Sequence, residues 1–179
     1  SSSFTVLEQP STSIVTRYKH DLGSRFTLGA IYTDRRGDDY SNRVAGLDAD
    51  LRFSATDRVS VQVLGSSSRY PDEVADDFDL ATGELRDWAA ELFYSHNTRT
   101  WLWWAVFADA GEDFRADLGF MPQVDSQKRE AGIGYQWNAT SSSWYSRMDL
   151  KAKVTDTVDQ GGSLLFHEEA IQFTFEGPL

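Results

Sequence analysis

The side chains best placed by type and spacing to do chemistry are carboxylates in polar stretches. Asp72, Glu73, Asp76, Asp77 and Asp79, with Glu84, crowd the stretch from Arg69 to Arg86. Clustered carboxylate oxygens of this kind could hold Ca²⁺. Their spacing does not follow the Asp-x-Asp-x-Asp-Gly calcium loop, so the plainer reading is a solvated loop kept open by its own charge. Asp109, Glu112, Asp113, Asp117 and Asp125 in the next polar stretch invite the same idea and the same discount. No other cofactor is called for.

Hydrolytic chemistry would need a nucleophile with a base, or a carboxylate pair with separated pKa values. The histidines are His20, His96 and His167. An up-and-down strand order puts His167 at the opposite end from the other two, so no Ser-His-Asp set is expected. His167-Glu168-Glu169 lacks the second His at helical spacing that a zinc motif needs. Gly161-Gly162 is a turn signal, unlike a phosphate loop. The chain is not expected to be an enzyme.

What must position these residues is a set of strands. No segment carries a sustained apolar i, i+3, i+4, i+7 stripe, and no substantial helix is expected. Nine segments of about ten residues alternate polar and apolar side chains instead, Ile14–Lys19 weakly. Between them fall tight connections near Asp21–Ser24, Ser54–Asp57, His96–Arg99 and Asn138–Ser142. Long polar ones fall at Asp34–Asn42, Arg69–Arg86, Asp109–Gln127 and Thr155–Ser163. In an up-and-down antiparallel sheet successive connections lie at opposite ends, so all tight turns share one end. That asymmetry is the pattern of an outer-membrane β-barrel. The fold class expected is therefore all-β, an up-and-down antiparallel transmembrane β-barrel segment. Single-chain bacterial barrels have even strand numbers. Nine strands, with Ser1–Ser3 and Gly177-Pro178-Leu179 at the ends, read as one piece of a larger barrel, incomplete at both ends.

Composition permits this. The chain has 179 residues, a net charge of −11 and a mean hydropathy of −0.46. A barrel strand shows lipid only every second residue, so a polar average does not exclude it. The absence of Cys excludes disulfides and thiolate metal sites. Acidity argues against nucleic acid, which needs Lys and Arg to neutralise phosphates.

Aromatic positions give a second test. Beside the tight turns stand Tyr18, Phe26, Phe53, Tyr94, Trp101, Trp137, Trp144 and Phe175; toward the long loops the same faces carry Tyr32, Trp88 and Phe107. Mid-strand positions are aliphatic or small, among them Leu28, Ala30, Ala49, Val61, Leu92, Ile133, Met148 and Leu150. Rings at the ends fit lipid–water interfaces, whereas a sandwich core would put them mid-strand. The opposite face carries Asp48, Asp50, Arg52, Glu91, Glu130, Arg147, Asp149, Lys151 and Lys153, which a dry core would desolvate at great cost. They suit a wet lumen. Trp101–Ala108 is apolar on both faces, so either parity fits and some inner residues must pack against a plug or neighbour. In this setting the partners expected are the bilayer and lipopolysaccharide, whose phosphates Ca²⁺ could bridge to the acidic loops, and further strands or chains completing the wall.

The stretch Phe114-Arg-Ala-Asp-Leu-Gly-Phe-Met-Pro-Gln-Val-Asp125 resembles a family of large bacterial outer-membrane proteins. These join an N-terminal carbohydrate-binding-module-like domain of the family-nine type to an uncharacterised C-terminal β-barrel. The shared pattern is an aromatic, then Asp-Leu-Gly-Phe, then a basic residue and Asp; Gln123 stands at the basic position here. Val15-Thr-Arg-Tyr-Lys-His-Asp-Leu-Gly23 and Asn42-Arg-Val-Ala-Gly-Leu-Asp-Ala-Asp-Leu-Arg-Phe53 are similar too, so the likeness runs from about Phe4 to Phe175. It implies a barrel longer than this chain, an absent module, and no catalytic residues. Phe114, Asp117, Gly119, Phe120 and Asp125 are its loop residues; that loop is expected to fold inward, with Gly119 turning the chain and Phe120 as anchor.

The expected function is a pore or surface anchor in the bacterial outer membrane, selecting by width and charge. The acidic loops favour cations or neutral saccharides over anions, with Arg147, Lys151 and Lys153 opposing a simple cation preference. The alternatives are a plugged, non-conducting scaffold and a soluble ligand-binding β-barrel.

Overall fold

The computed structural model describes residues 10–77, 83–119, 123–139 and 144–177. They form one nine-stranded sheet in sequence order, every neighbour pair antiparallel. The strands are β1 (Thr12–Leu22), β2 (Phe26–Gly37), β3 (Tyr40–Arg52), β4 (Asp57–Arg69), β5 (Glu84–Asn97), β6 (Trp101–Ala110), β7 (Ser126–Asn138), β8 (Arg147–Val158) and β9 (Leu164–Glu176). The weak Ile14–Lys19 segment is thus a full strand, β1, exposed along its whole length at the sheet edge. Among the described residues β1 and β9 make no contact with each other. The sheet is open, and this chain does not close a barrel by itself.

Period-two patterning decides which way each side chain points, and register then lines up whole rows. Lys19, Gly29, Asp48, Gln62, Glu91, Ala108 and Lys128 stand opposite one another in turn across seven strands, so they share one face. Tyr18, Ala30, Leu47, Val63 and Ala90 form the neighbouring row on the other face. The first is the polar face, the second the apolar face. For β6, where the sequence left parity open, Trp101, Trp103, Ala105 and Phe107 join the apolar face. Leu102, Trp104 and Val106 join the polar one.

The connections depart from the expected alternation in three places. Asp34–Asn42 is not a long loop: β2 and β3 continue to Gly37 and Tyr40, leaving Asp38-Asp39 as a hairpin turn with Asp39 at φ 55°. Asp and Asn accept that left-handed geometry more readily than other non-glycine residues. The polarity that suggested a loop belongs to paired charges on the strands, where Asp34 accepts from Arg36 on the same face. The β8–β9 connection is also shorter than expected, because β8 runs on to Val158 with an irregularity at Thr157/Val158. Its turn is closed by Asp159, whose carboxylate accepts from the Ser163 backbone N–H at 2.7 Å. That bond and those from the Gly161 and Gly162 backbone hold the Asp159 carboxyl below the usual carboxylate range. Conversely, the connection expected at Asn138–Ser142 reaches to Ser146, since β8 begins only at Arg147; residues 140–143 lie outside the described ones.

The β4–β5 and β6–β7 connections are long, as expected. The first holds the one helix of the described residues, α1 (Asp72–Asp77), which buries Ala75. The second folds over the polar face. There Val44, Ala89, Ala110 and Phe114 form a small buried cluster, with Leu64, Ala116 and Val124 against it. No comparable cluster lies on the apolar face of the described residues.

Candidate functional site

All nine charged residues expected to line a lumen come to one face. Arg17 of β1 meets Asp48 at 2.6 Å as an ion pair, and Arg58 meets Asp50 at 2.5 Å. Arg52 and Glu91 line the same groove of about 610 Å³ near the short-turn end. Across the sheet, Lys128 pairs with Glu130 at 3.0 Å, Arg147 with Asp149 at 2.6 Å and Lys153 with Glu168 at 2.6 Å. Most of these groups are partly exposed, so water completes their hydration and each pair contributes little by itself. What they establish is a hydrated, internally paired surface of mixed sign.

The β6–β7 loop is locked onto this face near the other end. Phe114 is wholly buried, and so are Asn42 of β3 and Ser68 of β4. The Asn42 amide donates to Ser68 Oγ at 2.7 Å and to the Arg115 carbonyl at 3.0 Å, and its oxygen accepts from the Asp117 backbone N–H at 3.1 Å. Each polar atom of that buried amide side chain is therefore satisfied. The Arg115 N–H donates to Ser66 Oγ at 3.1 Å. The Asp117 carboxylate accepts from both Tyr40 and Tyr70, the latter at 2.8 and 3.0 Å. Gly119 N–H closes a turn on Ala116 O at 2.9 Å. At the loop base Asp125 N–H bonds Gly111 O at 3.3 Å, and the Asp125 carboxylate accepts from the Gln160 N–H at 3.0 Å.

The loop lies over the polar face and turns at Gly119, and its wholly buried ring among the described residues is Phe114. Phe120, expected in that role, lies outside the described residues. Tyr40, Asn42, Ser66, Ser68 and Tyr70 were missed, because a polar residue that meets a distant loop looks, in sequence, like any other strand polar residue. The one available signal was the pair of tyrosines bracketing β3 and β4 at the long-loop end.

Burial and the neighbouring Asp117 carboxylate raise the Tyr70 hydroxyl above its ordinary value of 10.0. A group with a raised folded-state pKa supports the docked loop fully below about pH 10 and loses that support as pH rises further. Loop docking is expected to weaken above about pH 10, read as faster proteolysis between Gly111 and Asp125. Tyr70→Phe is expected to flatten that alkaline rise; an unchanged profile in the variant would dismiss Tyr70 as its source.

Among the apolar residues that β6 places on the polar face, Trp104 packs on a neighbouring strand. It lies against Gly132 of β7, where a Cβ would fall 2.1 Å from the ring. Its indole N–H donates to Glu130 at 2.9 Å.

On the apolar face, Tyr18, Phe26, Trp88, Tyr94, Trp101 and Trp137 all share the side expected, with Phe53 and Trp144 in the adjoining turns. Rings gather near the short-turn end: Phe53 stacks with Tyr94 at 6.4 Å, Trp101 meets Tyr135 edge-on at 4.7 Å, Tyr135 meets Trp137 at 4.6 Å, and Trp144 meets Phe175 at 5.2 Å. Between the rings and the loop end, Leu47 is 69% exposed, Val63 49%, Ile133 48% and Ile171 81%.

The acidic stretch is split by α1. Asp72 and Glu73 form its first turn and Asp76 and Asp77 its end, while Asp79 lies outside the described residues. Among the described residues no group of three or more His, Asp or Glu converges as metal ligands. The histidines stay apart. His96 stacks on Trp103 at 3.7 Å and bonds Asp57 at 2.7 Å, while His167 bonds Asp156 at 2.7 Å at the opposite end. Ser54 and Thr56 bond Asp57 directly, not through His96, so the relay of a hydrolytic triad is not assembled.

No known protein-family model, no curated protein and no solved structure matches the chain.

Proposed function

We propose that this chain is a segment of a bacterial outer-membrane β-barrel that forms part of a pore or surface anchor and performs no chemistry on what passes. The observation that carries the proposal is a large apolar face on which no buried cluster forms among the described residues. From Ala45 of β3 to Phe53 in the turn that follows, the apolar side extends roughly 27 Å at 3.4 Å per residue. Tilted as barrel strands are, that covers about 20 Å of a lipid-facing band about 25 Å tall. Water is a poor solvent for so much contiguous apolar surface, whereas lipid is a good one, and the rings at one border suit the interface.

The two open edges support a larger wall. Among the described residues β1 and β9 each pair with one neighbour only, leaving an outer edge of backbone groups that a bilayer does not tolerate. Further strands, from elsewhere in the protein or from another chain, would pair with them. The resemblance to outer-membrane proteins with a carbohydrate-binding-module-like domain fits this arrangement and suggests a surface location in contact with lipopolysaccharide. The docked β6–β7 loop favours a narrowed passage, and it gives the plugged scaffold a specific argument as the second reading.

Two measurements test this. Native protein is expected in the detergent-solubilised outer membrane, migrating differently on a gel before and after heating; a protein that stays monodisperse without detergent would defeat the membrane reading. Planar-bilayer recordings then separate the roles. Discrete open levels support a pore, and silence supports the scaffold.

A further inference from the structure

The inner side of β6 is the part of the polar face that a wet lumen alone does not explain. Leu102 and Trp104, with Phe93 of β5, line a groove of about 460 Å³ that also carries Lys151 and Lys153 of β8 and Gln172 of β9. Small-molecule sites span about 300–1,000 Å³ and combine apolar walls with a few polar groups. The Trp104 ring is held in place on two counts: it lies against Gly132, and its N–H is committed to Glu130 at 2.9 Å. A ring so fixed offers contact area with little ordering cost to a second ring.

The charges around it are unevenly committed. Lys153 is held by Glu168 at 2.6 Å, Arg147 by Asp149 at 2.6 Å and Lys128 by Glu130 at 3.0 Å. Among the described residues Lys151 has no carboxylate partner, although the chain as a whole carries a net charge of −11. Its stem crosses Gly134, whose Cβ would meet Lys151 Cγ at 3.0 Å, and so lies along the groove. A spare ammonium beside three apolar side chains is half of a recognition site for an amphipathic anion.

We infer that this groove binds a small aromatic carboxylate, with its ring against Trp104, Leu102 and Phe93 and its carboxylate on Lys151. Glu130 and Glu168, being engaged by their own cations and by Trp104, oppose the anion less than free carboxylates would. The inference rests on the proposed reading of the polar face as water-filled, and the test keeps the two separable.

The full chain in detergent is first examined for heat-modifiable migration, which reports on the barrel alone. Calorimetric titration then compares 3-phenylpropionate with its neutral amide. The acid is expected to bind about 10–100-fold tighter, the gain of one charge-assisted hydrogen bond. Lys151→Gln is expected to erase that ratio while leaving amide binding unchanged, and Trp104→Leu to weaken acid and amide alike. Equal binding of acid and amide, a ratio that survives in Lys151→Gln, or no binding of either would overturn the inference. A protein without heat modification that keeps the ratio would retain the site and lose the barrel.

Discussion

Replacing Leu47 with Arg is expected to destabilise the protein in a bilayer by about 2–4 kcal/mol, the cost of a cation at the midplane of a lipid-facing barrel surface. Leu47 stands mid-strand on the apolar face, between Ala30 and Val63, and is 69% exposed. In a water-soluble protein the same substitution touches no packed side chain and would fall within about 0.5 kcal/mol of neutral. The two solvents therefore predict different outcomes at one residue. Gln62→Arg supplies the control at nearly the same depth on the polar face, opposite Asp48 and Glu91. It is expected to be neutral or slightly stabilising. Urea unfolding of the lipid-reconstituted protein measures both, and a Leu47→Arg variant as stable as its parent would remove the chief support for the membrane reading.

The second large effect is expected from Phe114→Ala. Phe114 is fully buried against Val44, Ala89 and Ala110, and truncating a core Phe costs about 3–5 kcal/mol through lost transfer energy and the cavity left behind. The cluster is small, and apart from Ala116 and Val124 the loop is attached by polar contacts. That cost falls on the loop's one wholly buried side chain among the described residues, so weaker docking is the expected result. Proteolysis within 111–125 is expected to accelerate sharply and, in a conducting barrel, unit conductance to rise as the passage widens. Asn42→Ala attacks the same lock differently, leaving the Arg115 carbonyl and the Asp117 N–H without a side-chain partner, at about 1–3 kcal/mol. The two losses share one loop, so the double variant is expected to fall short of their sum. A Phe114→Ala variant with unchanged proteolysis and conductance would mean that the loop is held elsewhere.

These two residues mark the limits of what patterning reveals. Leu47 could be assigned to the apolar face at once, because Ala45, Leu47, Ala49, Leu51 and Phe53 alternate with charged and small residues, and period two admits only one orientation. The same argument placed all nine charged residues together without reference to any contact. Loop boundaries were less legible. Asp34 and Arg43 read as loop residues, yet they continue β2 and β3 as an ion pair at 3.6 Å, because cross-strand charge pairing makes polar residues acceptable in a strand. Trp101–Ala108 was ambiguous for the opposite reason. Both of its faces are apolar, and only pairing with β5 and β7 fixes which rings point where.

By itself the sequence determined the all-β class, the nine strands, their up-and-down order, and the separation of an apolar from a charged face. These follow from local periodicity and from turns that join neighbours. Only the tertiary structure decided that β1 and β9 make no contact among the described residues, that Phe114 is wholly buried, and that Asn42, Ser68, Tyr40 and Tyr70 receive the loop. Those are contacts between residues far apart in the chain, as with Asn42 and Asp117 or Tyr70 and Asp117. No periodicity encodes them, because each depends on where a whole loop lands once the sheet beneath it exists.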